Sequence, residues 1–184
     1  METTQLQSVL RNLDNSAKRI SNQIMEINSQ IRSLYLEAEN YRNTAESILD
    51  RVSYEDDAGR SADMVSQASA YISRAEYCES SAASKQLQAD SMKEELRGFR
   101  SEYEYYMNEG ETNIENLKLM AEKLTAMPEV KYGRDKILQT LKQTRQRLEF
   151  NQKLIDGCRQ RINWIDQICG SEGSQPVKKY TLHR

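Results

Sequence analysis

The chain has 184 residues, enough for one domain of ordinary size. Hydrophobic residues make up 38% and charged residues 29%, whereas Gly (7) and Pro (2) are scarce. This composition suits long helices that share a narrow apolar contact rather than a thick globular core. The net charge of −2 provides no global field that would favour nucleic acid or an anionic membrane as a partner.

Charge is distributed unevenly along the chain. Residues 117–184 hold 14 Lys+Arg and 7 Asp+Glu, a balance of +7, which leaves residues 1–116 with a balance of −9. Segments of opposite charge attract each other. We therefore expect electrostatic attraction between the two halves, either within one chain or between chains.

The first fifty residues carry the clearest pattern. Their apolar residues recur at steps of four and three, the spacing of a helix that buries a narrow stripe, or seam, against other helices. The pattern predicts a helix over residues 4–53, roughly 70 Å long at about 1.5 Å per residue. The seam residues are Leu6, Leu10, Leu13, Ala17, Ile20, Ile24, Ile27, Ile31, Leu34, Ala38, Tyr41, Ala45, Ile48 and Val52.

A turn and a second helix follow. The stretch SYEDDAG, residues 53–59, interrupts the pattern, and its aspartates and glycine suit a turn. The second helix is predicted over residues 60–126 and has Gly110 on its seam. We expect a continuous helix kinked at Gly110, the alternative being a break there and a new start at Thr112. Beyond the glycine the seam is predicted to continue as Leu117, Met120, Leu124 and Met127.

The seams of the first two helices match each other in size. The second helix has Ala at every seventh position from residue 68 to residue 89. Facing small and large residues keep the local volume of a core nearly constant. A turn near residue 58 therefore predicts an antiparallel hairpin with Tyr41 opposite Ala75, Ala45 opposite Tyr71, Leu34 opposite Ala82 and Ile27 opposite Ala89. Lys85 is a charged exception on this seam, and its stem is expected to extend outward.

A third helix is predicted over residues 130–169, after Pro128. Its seam is Ile137, Leu141, Thr144, Leu148, Asn151, Ile155, Cys158, Ile162, Ile165 and Cys169. Folding back near Met127 would pair Glu109 with Arg147 and Glu95 with Arg161, although exposed pairs stabilise by only about 0–1 kcal/mol.

The fold prediction is an all-α, elongated antiparallel helical hairpin, or three-helix coiled-coil bundle, forming one rod-like domain over residues 1–169. The two hairpins are expected to overlap over residues 89–110. Elsewhere two helices would run together with a poorly covered seam, so we expect another chain to cover it. Residues 170–184 are expected to form a flexible basic tail, or the start of a further domain.

The chain contains no recognisable catalytic arrangement. His183 is the only histidine, so a catalytic triad would need its base from the tail. The spacing of Asp56, Asp57 and Gly59 does not match a calcium loop. We expect no enzyme activity, catalytic residue, cofactor, metal or small-molecule substrate.

The expected location is the cytoplasm. The three cysteines, Cys78, Cys158 and Cys169, are odd in number and widely spaced, which suits reduced thiols. The first residues do not form a signal peptide, and no apolar run is long enough to span a membrane. Secretion by a specialised route stays open.

The predicted third helix carries a second apolar line beside its seam. Trp, Phe and Arg are the residue types that dominate interface hot spots. Two interpretations are open: these residues pack on the first helix, or they bind a partner. The candidate partner-binding residues are Phe150, Leu154, Arg161, Trp164, Ile168 and the exposed Tyr105; Tyr103 and Tyr106 are expected in the core.

The basic residues of the third helix suggest two further partners, nucleic acid and an anionic membrane surface. They include Arg134, Lys142, Arg145, Arg147, Lys153, Arg159 and Arg161. They are spread around the helix, and two have predicted acidic partners, so the sequence disfavours both. A membrane-surface-binding helical module stays an alternative.

Tyr35-x-x-x-Glu39 resembles the export motif of the small type VII secretion family of helical hairpins. In that family the motif follows the hairpin, whereas here it lies inside the first helix. SYEDDAG also lacks the Trp-x-Gly of that family. The resemblance implies a secretion-associated leader or chaperone as an alternative function. Our principal hypothesis is a non-enzymatic scaffold or adaptor that binds proteins, or further copies of itself as a homo-oligomer, through helix surfaces.

Overall fold

A computed structural model describes residues 3–126 and 133–170 of the chain. Every regular element in this part is an α-helix: α1 spans Thr3–Val52, α2 spans Ala58–Thr125 and α3 spans Arg134–Gly170. The all-α prediction is confirmed, and the predicted ends of α1 and α2 agree to within two residues. The predicted turn at Pro128 and the predicted tail beyond Gly170 lie outside the described residues.

The chain divides into two compact units. Among the described residues, unit 1 contains residues 3–95, that is α1 and the first part of α2. Unit 2 contains residues 96–126 and 133–170, that is the rest of α2 and all of α3. The prediction of one rod-like coiled-coil domain over residues 1–169, with a three-helix overlap, stays a prediction.

Asp57 fixes the start of α2. Its Oδ1 accepts a hydrogen bond of 3.0 Å from the backbone N–H of Arg60, and its carbonyl accepts one of 2.9 Å from the N–H of Ser61. This is the geometry of an N-cap, which satisfies donors that the first helical turn leaves unpaired. SYEDDAG is therefore a turn that ends in a helix cap.

Large side chains face alanines throughout unit 1. Ala68, Ala75, Ala82 and Ala89 are all completely buried. Ala89 and Ala82 share one cluster with Ile27, Ile31 and Leu34, whereas Ala75 lies in a second with Ala38, Cys78 and Tyr41. A third contains Ala45, Ile48, Ala68 and Tyr71. The predicted register of the first hairpin is confirmed.

Polar contacts line the edges of this hairpin. Arg42 and Glu79 form two hydrogen bonds, Nε to Oε1 at 2.9 Å and Nη2 to Oε2 at 2.8 Å. The half-buried Lys85 extends from the seam as predicted, and its Nζ donates to Oε1 of Gln30 at 2.6 Å. These bonds join residues on α1 to residues on α2 and so agree with the register of the apolar layers.

In unit 2, α2 continues through Gly110 without a break, as predicted. Gly110 is buried, and a Cβ placed on it would lie 3.0 Å from Cγ1 of Ile155 and 3.5 Å from Cδ2 of Leu154. The glycine thus allows α3 to approach closely. Because it faces Leu154 and Ile155, the predicted register of the second hairpin is wrong, together with its Glu109–Arg147 pair. The reason is that α3 begins at Arg134, whereas the prediction folded the chain back near Met127.

The seam of α2 changes phase inside unit 2. Its buried and half-buried residues include Tyr103, Met107, Gly110, Ile114, Leu117, Ala121 and Leu124. The four-residue step from Tyr103 to Met107 follows another from Phe99 to Tyr103. Two such steps in succession form a stutter, which locally unwinds a heptad pattern. The prediction of Met120 as a seam residue is therefore wrong, since its side chain is 44% exposed. Met127 lies outside the described residues.

The predicted seam of α3 is confirmed, because every residue on it is buried or half-buried. Two of its buried residues are polar, Thr144 (3% exposed) and Asn151 (8%). Thr144 Oγ1 donates to the carbonyl of Thr140, and Asn151 Nδ2 to that of Arg147, each at 2.8 Å. Bonding to their own helix allows these side chains to be buried without a partner on α2.

Gly98 and Gly110 provide a matched pair of substitutions. A Cβ at Gly98 meets nothing within 4 Å. Gly98→Ala should therefore stabilise unit 2 by about 0.5–1 kcal/mol through helix propensity. Gly110→Ala should lose most of that gain to the contact with Ile155, and Gly110→Leu should destabilise by at least about 1–3 kcal/mol. Urea unfolding measures all three, and equal effects of both Ala variants would contradict the close approach.

A double-mutant cycle tests the layer that contains Tyr41 and Ala75. Ala75→Leu should destabilise unit 1 by about 1–3 kcal/mol because the layer is already filled. Tyr41→Ala creates the complementary space. In the double variant the two effects should not add, with a coupling of about 0.5–3 kcal/mol in the favourable direction. Thermal unfolding followed by circular dichroism gives the values, and additive effects would show that the two side chains do not share a layer.

Candidate interaction surface on the third helix

All six candidate partner-binding residues lie in unit 2, but they differ in how much of each side chain is exposed. Phe150, Arg161, Trp164 and Ile168 are half-buried, Leu154 is only 8% exposed and Tyr105 is 59% exposed. The five on α3 follow steps of four, seven, three and four residues. They therefore form one line along the helix, directly beside the buried seam.

Leu154 belongs to the contact between α2 and α3. Its Cδ2 lies 3.5 Å from where a Cβ on Gly110 would be. With 8% of its surface exposed, it offers little area to a partner. Leu154 therefore anchors the line to the core of unit 2.

Arg161 lies against the fully buried Tyr103. Its guanidinium carbon is 5.8 Å from the centre of the Tyr103 ring, within the range of a cation–π contact. A Cβ on Gly157 would lie 2.8 Å from Nη1 of Arg161. The missing side chain at Gly157 thus leaves space for the guanidinium beside Tyr103.

An ion-pair group joins α2 to α3 within unit 2. Arg100 Nε donates to Oδ1 of Asp166 at 2.7 Å, and its Nη1 to Oε1 of Glu104 at 2.6 Å. The hydrogen bond to Asp166 is the main cause that raises the pKa of Arg100. Sequence reasoning missed this group because the predicted register placed Asp166 too far from Arg100.

The prediction is confirmed for Tyr103 and Tyr105, whereas Tyr106, predicted in the core, lies beside a seam that continues through Met107. Tyr103 is fully buried, Tyr106 is half-buried and Tyr105 is largely exposed. The rings of Tyr105 and Tyr106 meet edge to face, with centres 5.3 Å apart. Burial raises the pKa of Tyr106. Tyr105 thus presents an exposed aromatic edge that its neighbour supports.

The titratable groups provide little chemistry. Within residues 3–126 and 133–170, no group of three or more His, Cys, Asp or Glu side chains is arranged to hold a metal ion. All three cysteines are thiols, and burial raises the pKa of Cys78, which lowers its reactivity. His183 lies outside the described residues.

In the part of the chain that the structure describes, none of the helices combines the length and apolarity needed to cross a membrane. Comparison of the chain with protein-family models, curated proteins and solved structures gives no significant match.

Variants of Arg161 and Arg159 distinguish the stability contributed by the ring contact from the effect of losing a positive charge. Arg161→Met keeps the apolar stem but removes the guanidinium from Tyr103, and should destabilise unit 2 by about 0.5–2 kcal/mol. Arg159 is exposed and pairs only loosely with Asp156, at 3.6 Å, so Arg159→Met should change stability by less than about 0.5 kcal/mol. Trp164 fluorescence during urea unfolding reports both. Equal effects would mean that the ring contact contributes nothing.

Proposed function

We propose that this protein is a non-enzymatic scaffold or adaptor that binds other proteins through the surfaces of its helices. The observation that supports this most directly is the line on α3. Phe150, Trp164 and Ile168 keep part of their surface exposed beside a seam that includes the fully buried Ile165. An apolar line on a rigid helix fits a partner helix or groove.

The surroundings of the line favour recognition. Trp, Phe and Arg are enriched among residues that dominate binding energy. Because Arg161 is already held over Tyr103, a partner would not have to order that long side chain on binding. Trp164 and Ile168 are one turn apart on the same side of α3 and would be contacted together.

The secretion-associated and membrane-surface alternatives stay predictions. Tyr35 of the export-like motif packs against the cluster formed by Ile27, Ile31, Ala82 and Ala89. A receptor that recognises this motif would need access to the half-buried side chain of Tyr35. The basic residues of α3 give no separate observation that favours a membrane.

Matched truncations of exposed aromatic residues test the proposal. Trp164→Ala should reduce partner binding about tenfold or more, because it removes a hot-spot residue. Tyr77, which is 74% exposed on α2 in unit 1, is the control, and Tyr77→Ala should leave binding unchanged. Partners would be captured on the full-length chain, and cross-linked peptides would map the contact.

Ile168→Lys provides a second variant in case Trp164→Ala fails to fold, which circular dichroism would reveal. It should also weaken capture. Burial of Trp164 by a partner should shift its fluorescence to shorter wavelength. The proposal is contradicted if no protein cross-links to the line on α3, or if the Tyr77 and Trp164 variants lose binding equally.

A further inference from the structure

The end of unit 2 nearest the α2–α3 connection is incompletely covered. We define the distal hairpin as residues 111–126 of α2 and 134–148 of α3. Its apolar seam residues are only half-buried: Ile114, Leu117, Ala121, Leu124, Ile137, Leu141 and Leu148. Leu119, Met120 and Leu138 are 51%, 44% and 54% exposed. Within these two ranges, the one residue that is fully buried is Thr144.

The layers of the distal hairpin explain this exposure. Gly110 faces Ile155, so antiparallel helices place Leu117 near Leu148 and Ala121 near Thr144. The small Ala121 allows Thr144 to be buried. The leucine layers on either side project beyond what one facing helix can cover.

One face of the distal hairpin carries complementary charges. A residue that directly follows a seam residue is rotated about 100° from the seam, and in antiparallel helices these residues lie on the same face of the pair. On α2 they are Glu111, Glu115, Lys118 and Glu122; on α3 they are Leu138, Lys142, Arg145 and Glu149. We call this the following face.

Among the described residues, three charges of the following face have no ion-pair partner. Glu122, Lys142 and Arg145 are exposed, and none of them forms an ion pair with another described residue. Glu122 and Lys142 lie at nearly the same level of the hairpin but on different helices. Leu138 is the exposed apolar residue among them.

We propose that the following face binds a second copy of this chain and forms an antiparallel four-helix bundle with it. A two-fold axis parallel to the hairpin places α2 of one copy over α3 of the other. Glu122 then lies at the level of Lys142 and Arg145 of the second copy, and Lys118 at the level of Glu149. A two-fold axis across the hairpin would instead place α2, where three of the four following residues are Glu, over α2, and α3 over α3. The following face is separate from the line on α3, so this proposal goes beyond the proposed function.

The contact extends over about four helical turns, so we expect a weak dimer, with a dissociation constant on the order of micromolar. Sedimentation velocity on the full chain, from roughly 1 to 500 µM at low and high salt, measures it. The dimer should weaken as salt screens the charged pairs.

Variants of two leucines of similar exposure distinguish dimerisation through this face from nonspecific hydrophobic association. Leu138→Glu should weaken the dimer at least about tenfold, because it puts a charge in the apolar centre of the face. Leu119 follows Leu117 by two positions and lies on the outer side of α2, away from the face. Leu119→Glu should leave the dimer intact. Circular dichroism at low concentration checks that both monomers fold.

Charge reversal tests the arrangement of the helices. Glu122→Lys alone, and Lys142→Glu with Arg145→Glu alone, should each weaken the dimer about tenfold. An equimolar mixture of the two variants should recover the wild-type dimer, because each reversed site then meets its reversed partner. Recovery supports the proposal.

A wild-type chain that stays monomeric overturns the proposal, as do equal effects of the Leu138 and Leu119 variants. Charge variants that dimerise like wild type overturn the helix arrangement. None of these results affects the scaffold function, which fails when no protein cross-links to the line on α3 or when the Tyr77 and Trp164 variants lose binding equally.

Discussion

The close approach of α2 to α1 is the constraint on which unit 1 depends. Ala68, Ala75, Ala82 and Ala89 are completely buried, so the backbone of α2 comes close to its neighbour at every second turn. A seam of small residues stabilises a pair only if the partner fills the remaining volume. Ile27, Leu34 and Tyr41 of α1 do so at successive layers.

Unit 2 reaches close packing by a different route. Here a single glycine, Gly110, provides the approach, and the stutter at Tyr103 and Met107 turns the seam of α2 toward α3. The wide apolar side of α3 combines a buried seam with the half-buried line of Phe150, Trp164 and Ile168. Unit 2 thus keeps a line of half-buried apolar side chains directly beside its core.

The first hairpin could be predicted from sequence because two independent signals agree there. The turn is short and ends in the Asp57 cap, which limits the register, and the alanine period then selects one set of layers. The second hairpin lacks both signals. Eight residues separate Thr125 from Arg134, and the charge pairs used to choose a register are too weak to fix it. The stutter could not be predicted either, since Tyr106 and Met107 are adjacent large apolar residues and either could continue the seam.

On the candidate surface too, periodicity predicts which residues share a side of the helix but not which of them the facing helix buries. The line on α3 could be found by its spacing, and Tyr105 could be separated from Tyr103 by its position relative to the seam. That Leu154 is in the core could not, because it depends on Gly110 lying opposite, which only the correct register reveals. The position of Arg161 over Tyr103 depends on the same register.

The layers of unit 1 also bear on the kind of function that the chain can perform. In unit 1 isoleucine, leucine and tyrosine side chains of α1 fill the space beside the alanines of α2, so we expect a partner to contact the outer surfaces of these helices. Charged pairs on those surfaces, such as Arg42 with Glu79, contribute only about 0–1 kcal/mol each. Half-exposed apolar side chains can contribute more to binding, because removing their surface from water stabilises a complex by roughly 25 cal/mol per Å². In unit 2 three such side chains, Phe150, Trp164 and Ile168, lie in one line on α3 beside its buried seam, and binding is therefore expected there.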